Sequence, residues 1–301
     1  MANAGVKKCV GVLGTTSLVG ACLLPQLTEA GWQVTAFSRW AVGRLGDGVE
    51  WRQLPLAEYL SPQPSPQRGE GVTPHWVCVT PIWVLPDYFG LLETQGARRV
   101  VVLSSTSRFT KDDSTDPEEH AIARRLADAE RRVREWAESC CGVEWVILRP
   151  TLIYGLGRDK NIAEIARFIR RFGFFLLFGK ANGLRQPIHA ADVGGACLDA
   201  LQASCAANRV YNISGGETLT YRDMVARIFT ALGRRPRLLT IPLWAFRLAM
   251  IMLRRLPRYR QWSTAMAERM SRDLVFDHAE AARDLGFKPR AFVLAVGDLP
   301  T

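Results

Sequence analysis

The chain has 301 residues, 48% of them hydrophobic, which is enough apolar material for one large domain or for two closely joined ones. Its seven cysteines are scattered, odd in number and without metal-ligand spacing, so neither a disulfide framework nor a metal site is predicted, and a reducing cytoplasm fits best. A net charge of +10 favours anionic partners such as nucleotides, sugar diphosphates, nucleic acid or an acidic membrane surface.

Hydropathy along the chain predicts neither a signal peptide nor a membrane-spanning helix. The N-terminus has no long apolar region ahead of a small-residue cleavage site. The longest apolar stretch, residues 238–253, is broken by Pro242 and Arg247 and is too short to span a bilayer.

The first elements along the chain have the pattern of strand, turn, helix and strand. Residues 6–13 form a valine-rich apolar run, which is typical of a strand buried on both faces of a parallel sheet. Apolar residues then recur at helical spacing from Val19 to Ala30, and a second apolar run covers residues 34–37. The turn between the first strand and the helix is GTTSLVG, residues 14–20.

Later segments extend this alternation. Further buried strands are predicted at 77–80, 100–103 and 143–148, and strands that alternate with helices indicate a doubly wound parallel sheet of the Rossmann type, in the α/β class. Residues 61–71, with three prolines and two glycines, are predicted to be a disordered insertion.

The character of the chain changes after Pro150. Residues 161–179 form an apolar and basic helical stretch, and the tail from Leu219 is predicted to be mostly helical. We therefore predict a sheet domain over 1–155, completed by about 187–215, and a smaller, mostly helical lobe that binds substrate, formed by 156–186 and 216–301.

The turn at residues 14–20 has the pattern of a dinucleotide-binding loop with serine in place of one glycine. A helix N-terminus carries unpaired N–H groups and a partial positive charge, so a tight turn that enters it can seat a pyrophosphate. Gly14 permits the turn, Gly20 permits close helix packing, and Ser17 stands where glycine would allow the nearest approach. A purely structural turn is the alternative, because glycines are common at strand ends.

The end of the second strand bears on the choice of cofactor. Ser38 and Arg39 offer a hydroxyl and a guanidinium suited to a 2′-phosphate, so NADP is favoured over NAD; an exposed arginine without a ligand is the alternative. The predicted cofactor-binding residues are Gly14, Thr16, Ser17, Leu18, Val19, Gly20, Ser38, Arg39, Thr80, Ser104 and Pro150.

Six segments spread over nearly the whole chain carry a common pattern. They are GTTSLVG (14–20), VVVLSSTSRF (100–109), LRPTLIYGLG (148–157), RQPIHAADVGGA (185–196), VYNISGGETLTYRDM (210–224) and ARDLGFKP (282–289). Together they resemble the extended short-chain dehydrogenase/reductase superfamily, in its NAD-dependent epimerase/dehydratase branch. The resemblance implies a cofactor-binding sheet domain and a C-terminal lobe that, in relatives, binds sugar nucleotides.

The same resemblance implies a catalytic Ser or Thr, with a Tyr and a Lys four residues apart on one helix, where the Lys lowers the pKa of the Tyr that transfers a proton. The serine position falls on Ser105. The Tyr and Lys positions fall on Ile122 and Leu126, in an apolar stripe that is predicted to be core, and the sequence contains no Tyr-x-x-x-Lys. We therefore interpret the active site as degenerate.

Substitute proton donors and substrate ligands are sparse. Four residues are candidate donors, although each is also typical of a solvated surface: Lys111, His120, Arg124 and Arg125. Five groups near the substrate cleft of relatives can clamp a diphosphate: Arg158, Lys160, Lys180, Arg185 and His189. Of these, Arg158 and Arg185 are predicted to bind substrate, whereas His189 and Asp192 are predicted to tie residues 187–193 to the sheet domain.

Residues 234–260 contain eight arginines, no acidic residue and several interleaved apolar side chains. This composition raises the possibility of peripheral contact with an anionic membrane; a core helix with an arginine rim is the alternative. Nucleic acid is not favoured as a partner, because no helix-turn-helix, zinc finger or stacking motif accompanies the charge.

Two functional hypotheses follow. The favoured one is a protein that binds NAD(P) without orthodox turnover, similar to short-chain relatives that lack Tyr and Lys, namely redox-sensing regulators and an accessory subunit of respiratory complex I. The second is an NADP-dependent oxidoreductase, epimerase or dehydratase that acts on a nucleotide-linked sugar or similar phosphorylated substrate. In it Ser105 polarises the reacting oxygen and a non-standard group donates the proton.

Overall fold

A central parallel sheet organises the computed structural model, which describes residues 8–39, 48–54, 72–112, 116–140, 142–245 and 269–300. Its strands are β1 (Cys9–Leu13), β2 (Gln33–Ser38), β3 (Val49–Gln53), β4 (His75–Cys78), β5 (Arg99–Leu103), β6 (Glu144–Pro150) and β11 (Arg209–Ile213). They pair in the order β11-β6-β5-β4-β1-β2-β3, and every pair is parallel. The strand order changes direction between β1 and β4, which is where ligands bind in open sheets of this kind.

The helices of the described residues cover both faces of this sheet or belong to the second lobe. They are α1 (Leu18–Glu29), α2 (Phe89–Thr94), α3 (Ser107–Thr110), α4 (Pro117–Ser139), α5 (Ile162–Phe172), α6 (Ala190–Gln202), α7 (Tyr221–Ala231) and α8 (Ala279–Leu285). Apolar side chains of α1, α6 and α8 share one core with β1 and its neighbours. On the opposite face, α4 and a 3-10 helix (Ile82–Tyr88) share a second core that contains Trp76, Leu126 and Trp136.

The second lobe has its own core around α5 and α7. Three short strand pairs surround these helices: β7 (Ile153–Tyr154) with β10 (Ile188–His189), β9 (Leu184–Arg185) with β12 (Leu219–Thr220), and β8 (Phe175–Phe178) with β13 (Leu238–Ile241). Buried side chains such as Tyr154, Ile169 and Phe229 fill the space between them.

The doubly wound sheet predicted from the sequence is confirmed, together with the start of α4. Asp116 caps that helix by accepting a hydrogen bond from the Glu118 amide at 3.0 Å, and Pro117 occupies the first helical position. Strand β3 was not predicted, because its residues are half-buried or exposed and give no apolar run.

The helical prediction for residues 161–179 is wrong in its second half. Helix α5 ends at Phe172, and Gly173 takes a left-handed conformation at φ 76°. The residues that follow form strand β8. Glycine adopts this conformation without the strain that a Cβ would impose, so it ends the helix here.

Helix α8 lies within the stretch that we assigned to the second lobe, yet it packs on the sheet domain. Ala281, Leu285 and Phe287 belong to the core shared by α1 and α6. The predicted insertion at 61–71 lies outside the described residues, as does the part of 234–260 beyond residue 245. Among the residues that the structure describes, no helix is long and apolar enough to cross a membrane.

Candidate functional site

The turn between β1 and α1 depends on glycine at two positions. Gly14 has φ 88°, and a Cβ there would lie 2.7 Å from the backbone nitrogen of Thr80. A Cβ on Gly20 would lie 2.5 Å from the carbonyl oxygen of Gly14. The turn is therefore pressed against both the end of β4 and the start of α1, as the sequence predicts for a phosphate-type loop.

Ser17 replaces a glycine of the usual pattern and caps α1. Its Oγ accepts a hydrogen bond from the Gly20 amide at 3.0 Å, while its own amide donates to the Gly14 carbonyl at 2.9 Å. The amides of Leu18 and Val19, at the start of the helix, find no acceptor within the described parts of the chain. Two donors at a positive helix end thus fit a pyrophosphate group.

A cleft of about 400 Å³ opens beside this turn. It is lined by Leu13, Gly14, Thr15, Thr16, Ser17, Phe37, Ser38, Arg39, Leu54, Val79, Thr80, Pro81, Val84 and Tyr88. Six of the predicted cofactor-binding residues are among them: Gly14, Thr16, Ser17, Ser38, Arg39 and Thr80. Leu18, Val19 and Gly20 lie in the first turn of α1, and Ser104 and Pro150 lie at the ends of β5 and β6.

Sequence reasoning missed the apolar wall of this cleft. Leu54 follows the unpredicted strand β3, and Val84 and Tyr88 lie on the unpredicted 3-10 helix. Burial raises the pKa of the Tyr88 hydroxyl, and the nearby charge of Arg39 opposes that shift. The cleft is consequently apolar on one side and cationic at its rim.

Three consecutive hydroxyl groups follow β5, and each has a defined partner. Ser104 donates to Glu130 at 2.6 Å, and Thr106 donates to the Pro150 carbonyl at 3.1 Å. Ser105 accepts from the Ser107 amide at 3.1 Å and is half-buried. Because its hydroxyl oxygen accepts this bond, the O–H group of Ser105 can still donate a hydrogen bond to a ligand.

The α4 positions predicted to replace the family's Tyr and Lys are apolar and packed. Leu126 is 3% exposed within the core on this face of the sheet, and Ile122 is half-buried against the same core. Neither side chain can transfer a proton. The structure agrees with the prediction that this stripe of α4 belongs to the core.

Glu130, one turn beyond Leu126, is fully buried and accepts hydrogen bonds from three side chains outside α4. Its carboxylate accepts from Arg149 at 2.8 and 2.5 Å and from Arg108, in addition to Ser104. Burial raises the pKa of Glu130, but the hydrogen bonds from Arg149 and Ser104 outweigh it, so the pKa lies below its usual value. The group is thus held as an anion that fixes the ends of β5 and β6.

The candidate proton donors are spread over the surface near α4. His120 lies 3.6 Å from Asp112, and the Arg125 guanidinium lies 4.7 Å over the Trp83 ring. Arg124 and Lys111 are exposed or half-exposed. A donor role for any of these four remains a prediction.

Of the predicted substrate residues, Arg158 is exposed and Arg185 is buried. The Arg185 guanidinium donates to the carbonyls of Leu184, Arg272 and Arg269, the first two at 2.8 and 2.7 Å. Burial lowers its pKa to about 10. These bonds anchor residues 269–274 against the lobe, a contact that the sequence gives no means of finding, and a substrate role remains a prediction.

His189 and Asp192 contact the C-terminal segment. His189 lies 3.0 Å from Asp298 through Nε2, and its Nδ1 accepts from the Ala191 amide. Asp192 pairs with Arg290 at 2.7 Å. Both residues therefore hold the last part of the chain in place.

Residues 89–214 match the model of the NAD dependent epimerase/dehydratase family. The matched stretch covers 126 of the 301 residues. The matched stretch runs from α2 through the end of β11, so it contains Ser105, α4 and Glu130.

Individual relatives of this chain are distant in amino-acid sequence. The UDP-glucose 4-epimerase of Vibrio cholerae is 24% identical over 184 residues, which cover 60% of this chain and 52% of that protein. The uncharacterized protein YbjS of Escherichia coli K12 is 24% identical over 92% of both chains. The chain thus spans about half the length of the first of these and most of the second.

A solved structure shares the fold. The UDP-glucuronic acid 4-epimerase from Bacillus cereus in complex with NAD is 12% identical, with a TM-score of 0.67 over 96% of this chain and 93% of that chain. At this identity the likeness shows the Rossmann-like epimerase fold alone.

Proposed function

We propose that this protein binds NADP in the cleft beside the β1–α1 turn and does not carry out tyrosine-dependent proton transfer. One observation carries the proposal. The cleft is lined by Gly14, Ser17 and Arg39, as expected for a cofactor site. The α4 positions that would hold the family's Tyr and Lys are instead Ile122 and Leu126, which pack in or against the core. The geometry of the loop supports pyrophosphate binding, whereas the apolar side chains of Ile122 and Leu126 cannot transfer a proton. Positioned proton transfer contributes about 10²–10⁴ in rate, so its loss would leave binding as the main activity.

Different residues of the cleft would contact different parts of the cofactor. The amides of Leu18 and Val19 would hold the pyrophosphate, and Leu54 and Tyr88 would bound the adenine. Ser38 and Arg39 would hold the 2′-phosphate, because a guanidinium forms charge-assisted hydrogen bonds with phosphate oxygens. When bound, the nicotinamide supplies the capacity for hydride transfer.

The Arg39→Ala variant should lose affinity for NADPH by about 10- to 100-fold, since a hydrogen bond to a charged group contributes roughly 1.5–3 kcal/mol. Affinity for NADH should change by less than about twofold, because NADH has no 2′-phosphate for Arg39 to contact. Titration of nucleotide fluorescence with purified protein measures both constants.

The matched control is Arg52→Ala, an exposed arginine of β3 that pairs with Glu50 at 2.8 Å. Strand β3 is paired with β2, but Arg52 does not line the cleft. Equal losses for NADPH and NADH in Arg39→Ala, or equal losses in the two variants, would reject the preference for NADP.

The second candidate is an NADP-dependent oxidoreductase or epimerase for a nucleotide-sugar-like substrate. Ser105 favours it, because the half-buried hydroxyl at the end of β5 can still donate a hydrogen bond to the reacting oxygen. The known relative from Vibrio cholerae is named a UDP-glucose 4-epimerase, which supports UDP-sugars as the first substrates to test.

Turnover separates the two candidates. With a panel of UDP-sugars we expect neither net oxidation of NADPH above background nor, with NADP⁺ bound, conversion of any UDP-sugar to its epimer. Turnover that falls at least about 100-fold in Ser105→Ala would instead support the enzyme, because this is the size of effect expected when one positioned donor to a developing oxyanion is removed.

Location and partners follow from composition. Cysteines that are scattered, odd in number and without metal-ligand spacing support a cytoplasmic protein, and the positive charge supports a phosphorylated small molecule as the ligand.

A further inference from the structure

The positive charge of the protein is concentrated in two stretches of the second lobe. Residues 165–191 and 224–267 contain no Asp or Glu, and together they hold 14 of the 39 basic side chains. The remainder of the chain has more acidic than basic residues. The net charge of +10 therefore belongs to this lobe rather than to the sheet domain.

The two stretches meet in the fold. Arg234 donates to the carbonyls of Ile169 and Arg170 at the C-terminal end of α5, at 2.8 and 3.2 Å. The Phe175 amide donates to the Arg237 carbonyl at 2.9 Å, and β13 then runs parallel to β8. The described parts of the two acid-free stretches, 165–191 and 224–245, are thus in direct contact.

Exposed apolar side chains lie on the same elements as these arginines or directly after them: Phe172 ends α5, Leu239 lies in β13 and Trp244 follows β13. Phe172 is 50% exposed, Leu239 is 51% exposed and Trp244 is 72% exposed. The Phe172 ring packs against the rings of Phe168 and Phe174, with centroid distances of 4.6 and 6.3 Å, and these contacts restrict its orientation. We call the exposed residues Arg171, Phe172, Arg235, Arg237, Leu239 and Trp244 the basic-apolar face.

We infer that the basic-apolar face docks the protein on an anionic lipid bilayer. Arginines beside a bilayer are attracted to its negative surface potential, and apolar side chains between them gain free energy by entering the boundary between headgroups and acyl chains. An aromatic side chain at such a boundary is favourable, because its ring is apolar and its edge remains near water. The face thus matches an anionic bilayer in both charge and polarity.

The apolar members of the face distinguish a bilayer from nucleic acid. The phosphate backbone of a nucleic acid attracts the arginines electrostatically, but it offers no apolar surface against which the exposed Leu239 could be buried. Stacking on bases requires aromatic side chains set along a basic groove, and Phe172 packs against Phe168 at 4.6 Å between ring centroids. The combination of leucine, phenylalanine and tryptophan therefore favours lipid.

Co-sedimentation of the full chain with vesicles tests this inference. Vesicles of phosphatidylcholine mixed with phosphatidylglycerol should bind the protein, and vesicles of phosphatidylcholine alone should bind it at least about tenfold more weakly. The double variant R235Q/R237Q should lower the partition coefficient by about 25-fold, from about fivefold per arginine. The double variant L239S/W244S should lower it by about tenfold or more at low salt, because these side chains act by apolar burial.

Two matched controls carry the same changes on other surfaces. R52Q/R98Q neutralises two exposed arginines of the sheet domain, and Val296→Ser removes a side chain that is 88% exposed. Both should bind vesicles within about twofold of the unmodified protein, since they lie outside the face. Chemical denaturation of all variants reports on folding, and their NADPH affinity, measured without vesicles, reports separately on the cofactor proposal.

Several results would overturn the inference. One is equal binding to neutral and anionic vesicles; another is equal loss in the control and face variants. A third is tighter binding to duplex DNA than to anionic vesicles at the same salt, with L239S/W244S unaffected, which would assign the face to nucleic acid.

Discussion

Replacing Gly14 with alanine is expected to lower the affinity for NADPH by at least about tenfold and to destabilise the fold by more than about 1–2 kcal/mol, the usual cost of a left-handed conformation in a residue with a Cβ. Gly14 has φ 88°, and its added Cβ would lie 2.7 Å from both the backbone nitrogen and Cγ2 of Thr80. The loop must therefore move away from β4, which shifts the amides at the start of α1. Nucleotide titration and chemical denaturation measure the two effects.

Gly31 offers the matched control for this substitution. It has φ 77°, close to the value of Gly14, but nothing lies within 4 Å of a Cβ added there. Gly31→Ala should therefore show the conformational cost of about 1–2 kcal/mol without a change in NADPH affinity. Similar NADPH affinities for Gly14→Ala and the unmodified protein would mean that this turn does not hold the cofactor.

The Glu130→Ala substitution is expected to lower the free energy of unfolding by about 3–5 kcal/mol, because it leaves buried positive charge without its partner. Arg149 and Arg108 both donate to this carboxylate, and Ser104 loses its acceptor as well. Glu130→Gln should cost less, because the amide oxygen still accepts one of these bonds. Chemical denaturation followed by tryptophan fluorescence measures each loss.

The control lies on the same helix. Glu135 is exposed and pairs with Arg131 at 2.8 Å, so Glu135→Ala should cost no more than about 0.5 kcal/mol. Equal losses for Glu130→Ala and Glu135→Ala would show that the buried network contributes no more than a surface ion pair.

The pH dependence of stability has a defined sign at Glu130. Since its pKa in the folded protein lies below the usual value, its contribution is present above the unfolded pKa of about 4.3 and is lost as the pH falls through the folded pKa. The stability of the unmodified protein should fall in this acidic range more steeply than that of Glu130→Gln. Parallel profiles for the two proteins would contradict this assignment.

Some elements were predictable because their signal is local. The apolar runs of β1, β5 and β6 mark strands that are buried on both faces, and the sequence Asp116-Pro117 marks a helix start through the cap that it forms. Strand β3 gave no such signal because it lies at the sheet edge and exposes most of its residues. The boundary between α5 and β8 depended on Gly173, inside a run that is apolar throughout.

The candidate site was predictable to the same degree. The turn at 14–20 and the pair Ser38-Arg39 could be found because each is a short contiguous pattern next to a strand. The wall formed by Leu54 and Tyr88 could not, because it comes from segments that approach the turn only through the parallel pairing of β2 with β3 and of β1 with β4.

The amino-acid sequence by itself determined the strand and helix alternation, the loop that enters α1, the apolar residues at 122 and 126, and the concentration of charge in the second lobe. Only the tertiary structure decided where the buried charges go. Glu130 with Arg149, Arg185 with Arg272, and His189 with Asp298 are separated by 19, 87 and 109 residues. Burying a charged side chain costs free energy unless the fold places a hydrogen-bonding or oppositely charged partner beside it. The spacing of residues along the chain does not indicate which residue that partner is.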